Sequence, residues 1–444
     1  MDVREPSRLR SVIACNLGIC MEGFDFIAFS FFSFVFAKLF FPTGNELTAL
    51  LLAFATFGLA YVVRPLGGIF WGVYADKVGR RPALVWISLL MAVGVAIIAF
   101  TPSYAAIGLA GPILIVVARL IQGFSAGGEF ASATSMLVEQ ATPGRRGLYA
   151  STQMASQVFT VAAMSLLLIV MTQSMSPAAL EGWGWRLVFV FGILIGPIGF
   201  YMRSRMAESP EFARIVTLQG GPAKTPLRDV FQRYPWEALC MAGLIVIGSA
   251  GFYLILIFLP IYAARQLGIG MLESQIATIF GCLVQLVFIF LSARLSDRHG
   301  RRVILMPAAI AYVIVIYPLF AYLIDHPSFT TLIVVQAIAN ILLGSLSGPL
   351  PAALSELFPA KIRSSGIGIV YNAVGAIFGG LGPFFITTLL SITGDKASPA
   401  YWAAFTGVVG LIAVYCMKYV RTDATVGAPQ AAPENKVSAL AGRL

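Results

Sequence analysis

Apolar residues run along this chain in long blocks broken by short clusters of charge, proline and glycine. The blocks lie near 11–38, 47–74, 83–101, 108–138, 147–173 and 185–203. After a charged stretch they resume near 236–264, 273–293, 303–324, 330–355, 364–392 and 399–420. A helix needs about 20 predominantly apolar residues to cross a bilayer. The pattern therefore predicts twelve transmembrane helices, an all-α membrane protein, and an even count that puts both termini on one side.

The pattern also repeats. Gly72-Val-Tyr-Ala-Asp76-Lys77-Val-Gly79-Arg80-Arg81 follows the second block, and Ala293-Arg-Leu-Ser-Asp297-Arg298-His-Gly300-Arg301-Arg302 follows the eighth, 221 positions on in a chain of 444. A fainter echo, Glu139…Pro143…Arg145…Gly147 against Glu356…Pro359…Arg363…Gly366, follows blocks four and ten. Two six-helix units, 1–203 and 236–421, are thus expected as a pseudosymmetric pair joined by a basic cytoplasmic linker, 204–235. The tail, 422–444, carries Pro429, Pro433 and many alanines without a heptad pattern, and is predicted to be disordered.

Composition sharpens this picture. Hydrophobic residues make up 58% and charged residues 11%, against about 25% charged in a soluble domain; mean hydropathy is +0.86. The net charge of +10 suggests nucleic acid until the charges are placed. Four of the 30 Lys and Arg (Lys38, Arg186, Arg265, Lys396) belong to the odd-numbered loops and two (Arg64, Arg119) to apolar blocks, leaving 24 on the side of the termini. By the positive-inside rule that side is the cytoplasm. The charge reports topology, and no nucleic-acid partner is expected. No signal-peptide cleavage pattern precedes the first block, so it is expected to stay as a span.

Five scattered cysteines (15, 20, 240, 282, 416) form no CxxC pair, so neither a disulfide framework nor a zinc site is expected. There is no GxxxxGK[ST] loop and no HExxH, and both histidines, His299 and His326, fall in loops. An enzyme, a metal and a cofactor are not expected. Protons crossing the membrane would have to ride on carboxylates.

Polar residues inside the blocks are the candidate chemistry. In the fourth block Arg119, Gln122, Ala126 and Glu129 fall on one helical face, with Gly123, Gly127 and Gly128 allowing a close neighbour. An Arg near mid-membrane costs about 2.5–3.5 kcal/mol on the mild insertion scale. Arg119 therefore either ties helices together or serves a binding or coupling site; Arg64 is a weaker candidate. The embedded acids are Glu22, Asp25 and Glu129, all in the amino-terminal half. Glu22 and Asp25 share a helical face and should not both ionise easily, which suits a proton carrier; the alternative is that one simply pairs with Arg119. Elsewhere Gln153 and Gln157, Gln336 and Asn340, and Tyr371 and Asn372 are either donors to a carboxylate or hydroxyl ligand or helix-to-helix hydrogen bonds. Gly-rich tracts at 344–348 and 375–382 read as close packing and bending points.

These motifs resemble the major facilitator superfamily and, within it, the metabolite:proton symporter family. The matching pieces are the two Asp-[Lys/Arg]-x-Gly-Arg-Arg loops, Arg64-Pro65-Leu66-Gly67, and Arg119-x-x-Gln-Gly-Phe-Ser-Ala-Gly-Gly-Glu129. Met21-Glu22-Gly-Phe-Asp25-Phe and Gly394-Asp-Lys-Ala-Ser-Pro399 are similar to pieces of the bacterial citrate-proton symporters. The resemblance implies a twelve-helix major facilitator fold and coupling or substrate roles for Glu22, Asp25, Arg119 and Glu129. It implies gating roles for Asp76, Arg80, Arg81, Asp297, Arg301 and Arg302, with Asp76 near Ser364-Ser365 and Asp297 near Gly147. Where many relatives carry Asn three residues before the first-block Glu, this chain has Ile19, and Asn16 sits a turn earlier on another face.

The function expected is proton symport of an organic carboxylate through a bacterial inner membrane by alternating access, by a monomer. Citrate or a related tricarboxylate or dicarboxylate is the leading substrate, and a zwitterionic osmolyte such as betaine or proline the alternative. Each net negative charge imported against about 100 mV costs roughly 2.3 kcal/mol, so a trivalent anion needs about three protons or a protonated form. A drug antiporter is disfavoured, since the fifth block lacks a Gly-Pro-x-x-Gly-Gly motif.

Overall fold

The structure is a computed structural model and describes residues 5–42, 46–205, 208–209, 212 and 226–418. Most of the 204–235 linker and the 422–444 tail lie outside the described residues.

Twelve long helices follow one another. They are α1 (Glu5–Phe31), α2 (Glu46–Val78), α3 (Arg80–Phe100), α4 (Ala110–Gln140), α5 (Arg146–Ser174) and α6 (Trp185–Ser204), then α7 (Pro235–Gln266), α8 (Met271–His299), α9 (Arg301–Asp325), α10 (Phe329–Glu356), α11 (Arg363–Leu390) and α12 (Ser398–Cys416). A short helix, Ser33–Phe40, continues α1 after a break at Phe32, so the first apolar block spans both. Among the described residues there is no strand, and ten helices are long and apolar enough to cross a membrane, α2 and α6 being the other two. Large apolar side chains such as Phe100, Val62, Ile314 and Trp236 are exposed around the outside. A soluble protein would aggregate through such a belt; a bilayer solvates it.

Within the amino-terminal half α4 packs against α2 and α3; within the other half α7 packs against α12 and α8 against α10. The halves meet along two pairs, α2 with α11 and α5 with α8. Small residues make the close approaches possible. A Cβ at Gly127 would fall on the Arg64 carbonyl oxygen, and one at Gly368 on that of Gly68.

Two helices leave α geometry midway. α7 widens to π turns over Tyr253–Phe258 and α11 over Ala376–Gly380, within the second Gly-rich tract. The two irregular stretches face each other, with Gly379 against Ser249 and Tyr253, and Gly380 against Tyr61 of α2. Irregular backbone at membrane depth needs protein partners for its carbonyls. Gln336 supplies one, its Nε2 donating to the Ile255 carbonyl at 3.3 Å.

Candidate transport site

Between the halves lies a cavity of about 1450 Å³, counting the space open to solvent. It reaches from Ile19 and Leu350 toward Phe31, Pro260 and Gln275, at the ends of the helices away from the Asp-x-x-Gly-Arg-Arg loops. Its lining contains one acid and one base. Arg64 Nη2 donates to Glu22 Oε1 at 2.6 Å, joining α2 to α1. The Arg64 guanidinium lies over the rings of Phe26 (4.2 Å) and Tyr61 (4.7 Å). Tyr61 and Tyr253 share a hydroxyl hydrogen bond of 2.8 Å across the two halves. On another wall Phe130 and Tyr371 stack face to face at 3.6 Å. Gln157 also lines the cavity.

A second ion pair stands one layer behind. Arg119 Nη1 donates to Asp25 Oδ2 at 3.1 Å, and its guanidinium covers Phe29 at 3.5 Å. Neither residue lines the cavity, though Phe26 touches both arginines. Gln122, one turn from Arg119, is buried against the Asp25 carboxylate.

Glu129 shares a helical face with Arg119 but does not meet it. Its partner is Arg203, at the end of α6, which also donates to the carbonyls of Ala14, Cys15 and Leu84 and to Ser88 Oγ. This pair is buried, and neither residue lines the cavity. Helical-face arithmetic sorts residues within one helix; it does not reveal which neighbour supplies the counter-charge.

The uncharged candidates divide. Gln157 and Tyr371 line the cavity; Gln153, Gln336, Asn340 and Asn372 do not. Gln153 bridges Thr134 Oγ1 and the Phe130 carbonyl of α4. Asn340 donates to Gln336 of the same helix. Asn372 donates to the Gly127 carbonyl at 2.6 Å, pinning α11 to α4 across the halves. Ile19 lines the cavity, while Asn16 donates to Thr152 of α5 instead.

The repeated loops close the opposite end. Asp76 accepts the N–H groups of Ser364 and Ser365 (3.2 and 2.7 Å) at the start of α11. Asp297 accepts those of Gly147 and Leu148 (2.7 and 2.9 Å) at the start of α5. Both carboxylates thus cap a helix N-terminus of the other half, where four backbone donors lack helical partners. Arg80 braces Asp76 at 3.3 Å and shares Glu139 with Arg363; Arg301 braces Asp297 at 2.7 Å and holds Glu356 at 2.9 Å. The second arginines stay within their own halves, Arg81 on the Ser204 carbonyl and Arg302 on the Val414 carbonyl. Glu208 of the linker, which no sequence signal singled out, accepts the N–H groups of Arg80 and Arg81.

The aromatic walls, the Glu22–Arg64 and Glu129–Arg203 pairings and the π turn of α7 were the parts sequence reasoning missed; Asp25–Arg119 is the pairing held as the alternative, and the π turn of α11 falls in a tract read as a bending point. Comparison with known proteins agrees with the geometry. Residues 11–233 match the family described as "Sugar (and other) transporter", and residues 241–443 match "Major Facilitator Superfamily", one half each. The "Citrate-proton symporter" of Klebsiella pneumoniae is 35% identical over 94% of this chain and 93% of its own. The "Proline/betaine transporter" of Escherichia coli (strain K12) is 29% identical over 97% of this chain and 87% of its own. Among solved structures, the proton:xylose symporter XylE bound to 6-bromo-6-deoxy-D-glucose superposes with a TM-score of 0.77 at 17% identity, covering 94% of this chain and 96% of that one. In sequence and in fold alike, this chain belongs to the major facilitator superfamily of membrane transport proteins.

Proposed function

We propose that this protein is a proton-coupled symporter that imports a small organic carboxylate across a bacterial inner membrane by alternating access. The observation that carries the reading is the Glu22–Arg64 pair in the cavity between the halves. An Arg guanidinium is a strong receptor for a carboxylate. Here Glu22 already occupies it, so an incoming anion must compete. A proton on Glu22 removes the competitor, and proton and anion then load together.

The Asp25–Arg119 pair behind Phe26 is close enough to feel that change, with Gln122 beside it, and Glu129–Arg203 anchors the bundle below. Gln157 and Tyr371 are polar groups within reach of a bound ligand, while Gln153, Gln336, Asn340 and Asn372 hold the walls in register. Asp76 and Asp297, with Arg80, Arg81, Arg301 and Arg302 around them, hold the loop end shut and release as the halves rock. The excess of Lys and Arg puts that end, both termini and the linker in the cytoplasm. The working unit is one chain in the bilayer, its two six-helix halves being 1–203 and 236–421.

Citrate or a related tricarboxylate or dicarboxylate is the first substrate to try, on the strength of the Klebsiella relative. One cation beside one acid also matches a zwitterion, and the Escherichia relative favours betaine or proline as the second reading. The test is uptake of labelled citrate into proteoliposomes under an imposed inward proton gradient, wild type beside Arg64→Gln and Arg119→Gln. Gradient-driven uptake that both variants lose is expected. Uptake of betaine alone would replace the substrate, and uptake indifferent to the proton gradient would remove the coupling.

A further inference from the structure

The cavity's charge inventory says more than that a carboxylate binds. Every lining residue other than Glu22 and Arg64 is uncharged. With Glu22 ionised the cavity is neutral overall; with Glu22 protonated it carries one positive charge. That balances one carboxylate. A second or third ionised carboxylate would face only neutral donors, and two of those, the Tyr61 and Tyr253 hydroxyls, already bond each other. An ionised carboxylate buried without a counter-charge takes up a proton rather than stay charged.

The walls point to the body of the ligand. Phe57, Phe252 and Tyr253 line the cavity together with the stacked Phe130–Tyr371 pair, and the edges and outer faces of such rings suit flat apolar groups. The other polar groups of the lining, Ser30, Gln157, Ser165, Ser249, Gln275 and Ser347, are all neutral. A quaternary ammonium would also seek aromatic faces. However, the two faces beside the acid, those of Phe26 and Tyr61, are covered by the Arg64 guanidinium itself.

We propose that the cavity takes a monoanion, a single ionised carboxylate on a flat apolar body of the aromatic monocarboxylate class, together with one proton on Glu22. This rests on the symporter reading and narrows it. Arg64 turns from Glu22 to the ligand carboxylate, Glu22 holds the proton, and the ring lies against the aromatic wall. A polyacid enters only in its singly charged form, so one ligand and one proton cross with no net charge.

The experiment is calorimetric titration of the full chain in nanodiscs near neutral pH with benzoate, propane-1,2,3-tricarboxylate and glycine betaine, in buffers of different ionisation enthalpy. Benzoate is expected to bind with uptake of one proton. Glu22→Gln, which mimics the protonated acid, should bind it with no proton uptake, and Arg64→Gln should lose about ten- to a hundred-fold in affinity. Tighter binding of the tricarboxylate with uptake of two protons or fewer, where its singly charged form plus Glu22 needs three, binding of betaine alone, or binding of none of the three overturns the inference. The same panel in proton-driven uptake separates the two proposals. Accumulation of trivalent citrate leaves the symporter standing and removes the monoanion. Benzoate binding with one proton but without gradient-driven accumulation does the reverse.

Discussion

The two halves share a fold and a loop motif but handle charge in opposite ways. Among the described residues, the amino-terminal half holds three ion pairs between its spanning helices, Glu22–Arg64 at the cavity and the buried Asp25–Arg119 and Glu129–Arg203 behind it. The carboxyl-terminal half has its acids, Glu237, Glu273, Asp297, Asp325, Glu356 and Asp395, only at helix ends and in loops. Its interior polar groups are amides and hydroxyls, such as Gln336 on the Ile255 carbonyl. Proton chemistry needs groups that change charge, and neutral amides do not. Under the symport proposed above, this difference assigns coupling to the first half and the role of a neutral wall to the second.

The largest effects should follow from breaking that asymmetry on the charged side. Removing one partner of a buried ion pair leaves the other uncompensated, at about 3–5 kcal/mol. Arg203→Gln, which strands Glu129 and frees the carbonyls of Ala14, Cys15 and Leu84, should lower the detergent melting temperature sharply. Adding Glu129→Gln should recover much of the loss, because the stranded charge is gone. Arg119→Gln should destabilise through Asp25 in the same way. Equal melting of Arg203→Gln and wild type would show that the pair contributes no net stability.

The two loop contacts proposed as gates extend the contrast to the loop end. Asp76 and Arg80 are fully buried, tied through Glu139 to Arg363, whereas Arg301 and Glu356 keep 11% and 23% of their side chains exposed. Hydrogen bonds to charged groups are worth about 1.5–3 kcal/mol, with the upper end expected where water is excluded. Asp76→Asn should therefore open this end more than Asp297→Asn. The measurement is labelling of a cysteine placed at Ser249 in the cavity by an impermeant maleimide applied from the loop side. Equal labelling of the two variants would make the gates equivalent despite their burial.

Much of this was legible in the sequence, and the limit has a physical cause. Apolar blocks predict helices well because the bilayer demands about 20 such residues in a row; the eighth block, read as 273–293, is helical over Met271–His299. The contacts of Asp76 and Asp297 came only with the family resemblance, since the loops by themselves show no more than charged turns. Arg119 was less legible. Pairing with Glu22 or Asp25 stood there only as an alternative, because the rotation of one helix against another, which decides the partner, is set by packing; Asp25 of α1 takes it. The cavity's aromatics were hidden for a related reason. With 33 Phe in the chain, a ring facing ligand and a ring facing lipid look alike in sequence.

A smaller effect belongs to the turn between α11 and α12, in the neutral half. Gly394 has φ +65°, and the Asp395 carboxylate accepts Ala397 N–H (2.8 Å) and the Tyr401 hydroxyl (2.7 Å). The Tyr262 hydroxyl donates to the Lys396 carbonyl, tying the turn to α7. A side chain in left-handed geometry costs roughly 1–2 kcal/mol, so Gly394→Ala should lower the melting temperature slightly and leave transport intact. The Ala397 N–H and the Tyr401 hydroxyl hold the Asp395 carboxyl below the usual carboxylate range. Its folded value being the lower one, its contribution is present at neutral pH and is lost as pH falls through that value. Tyr401→Phe should move the loss to higher pH in melting curves taken across the acid range.

The smallest effect tests the neutral wall itself. Gln336→Leu deletes the donor to Ile255, whose carbonyl lies in the π turn of α7. Hydrogen bonds between helices in membrane proteins average about 0.6 kcal/mol and reach roughly 1.7, so melting should change little. The consequence to measure is geometric, because Tyr253 begins that π turn and reaches across to Tyr61. If Gln336 holds the turn open, Gln336→Leu should alter substrate affinity more than Asn340→Leu, whose side chain bonds only within its own helix. Equal affinities in the two variants would mean that the π turn is held by packing against Gly379 and Gly380, and that the neutral half shapes the site through its glycines instead of its amides.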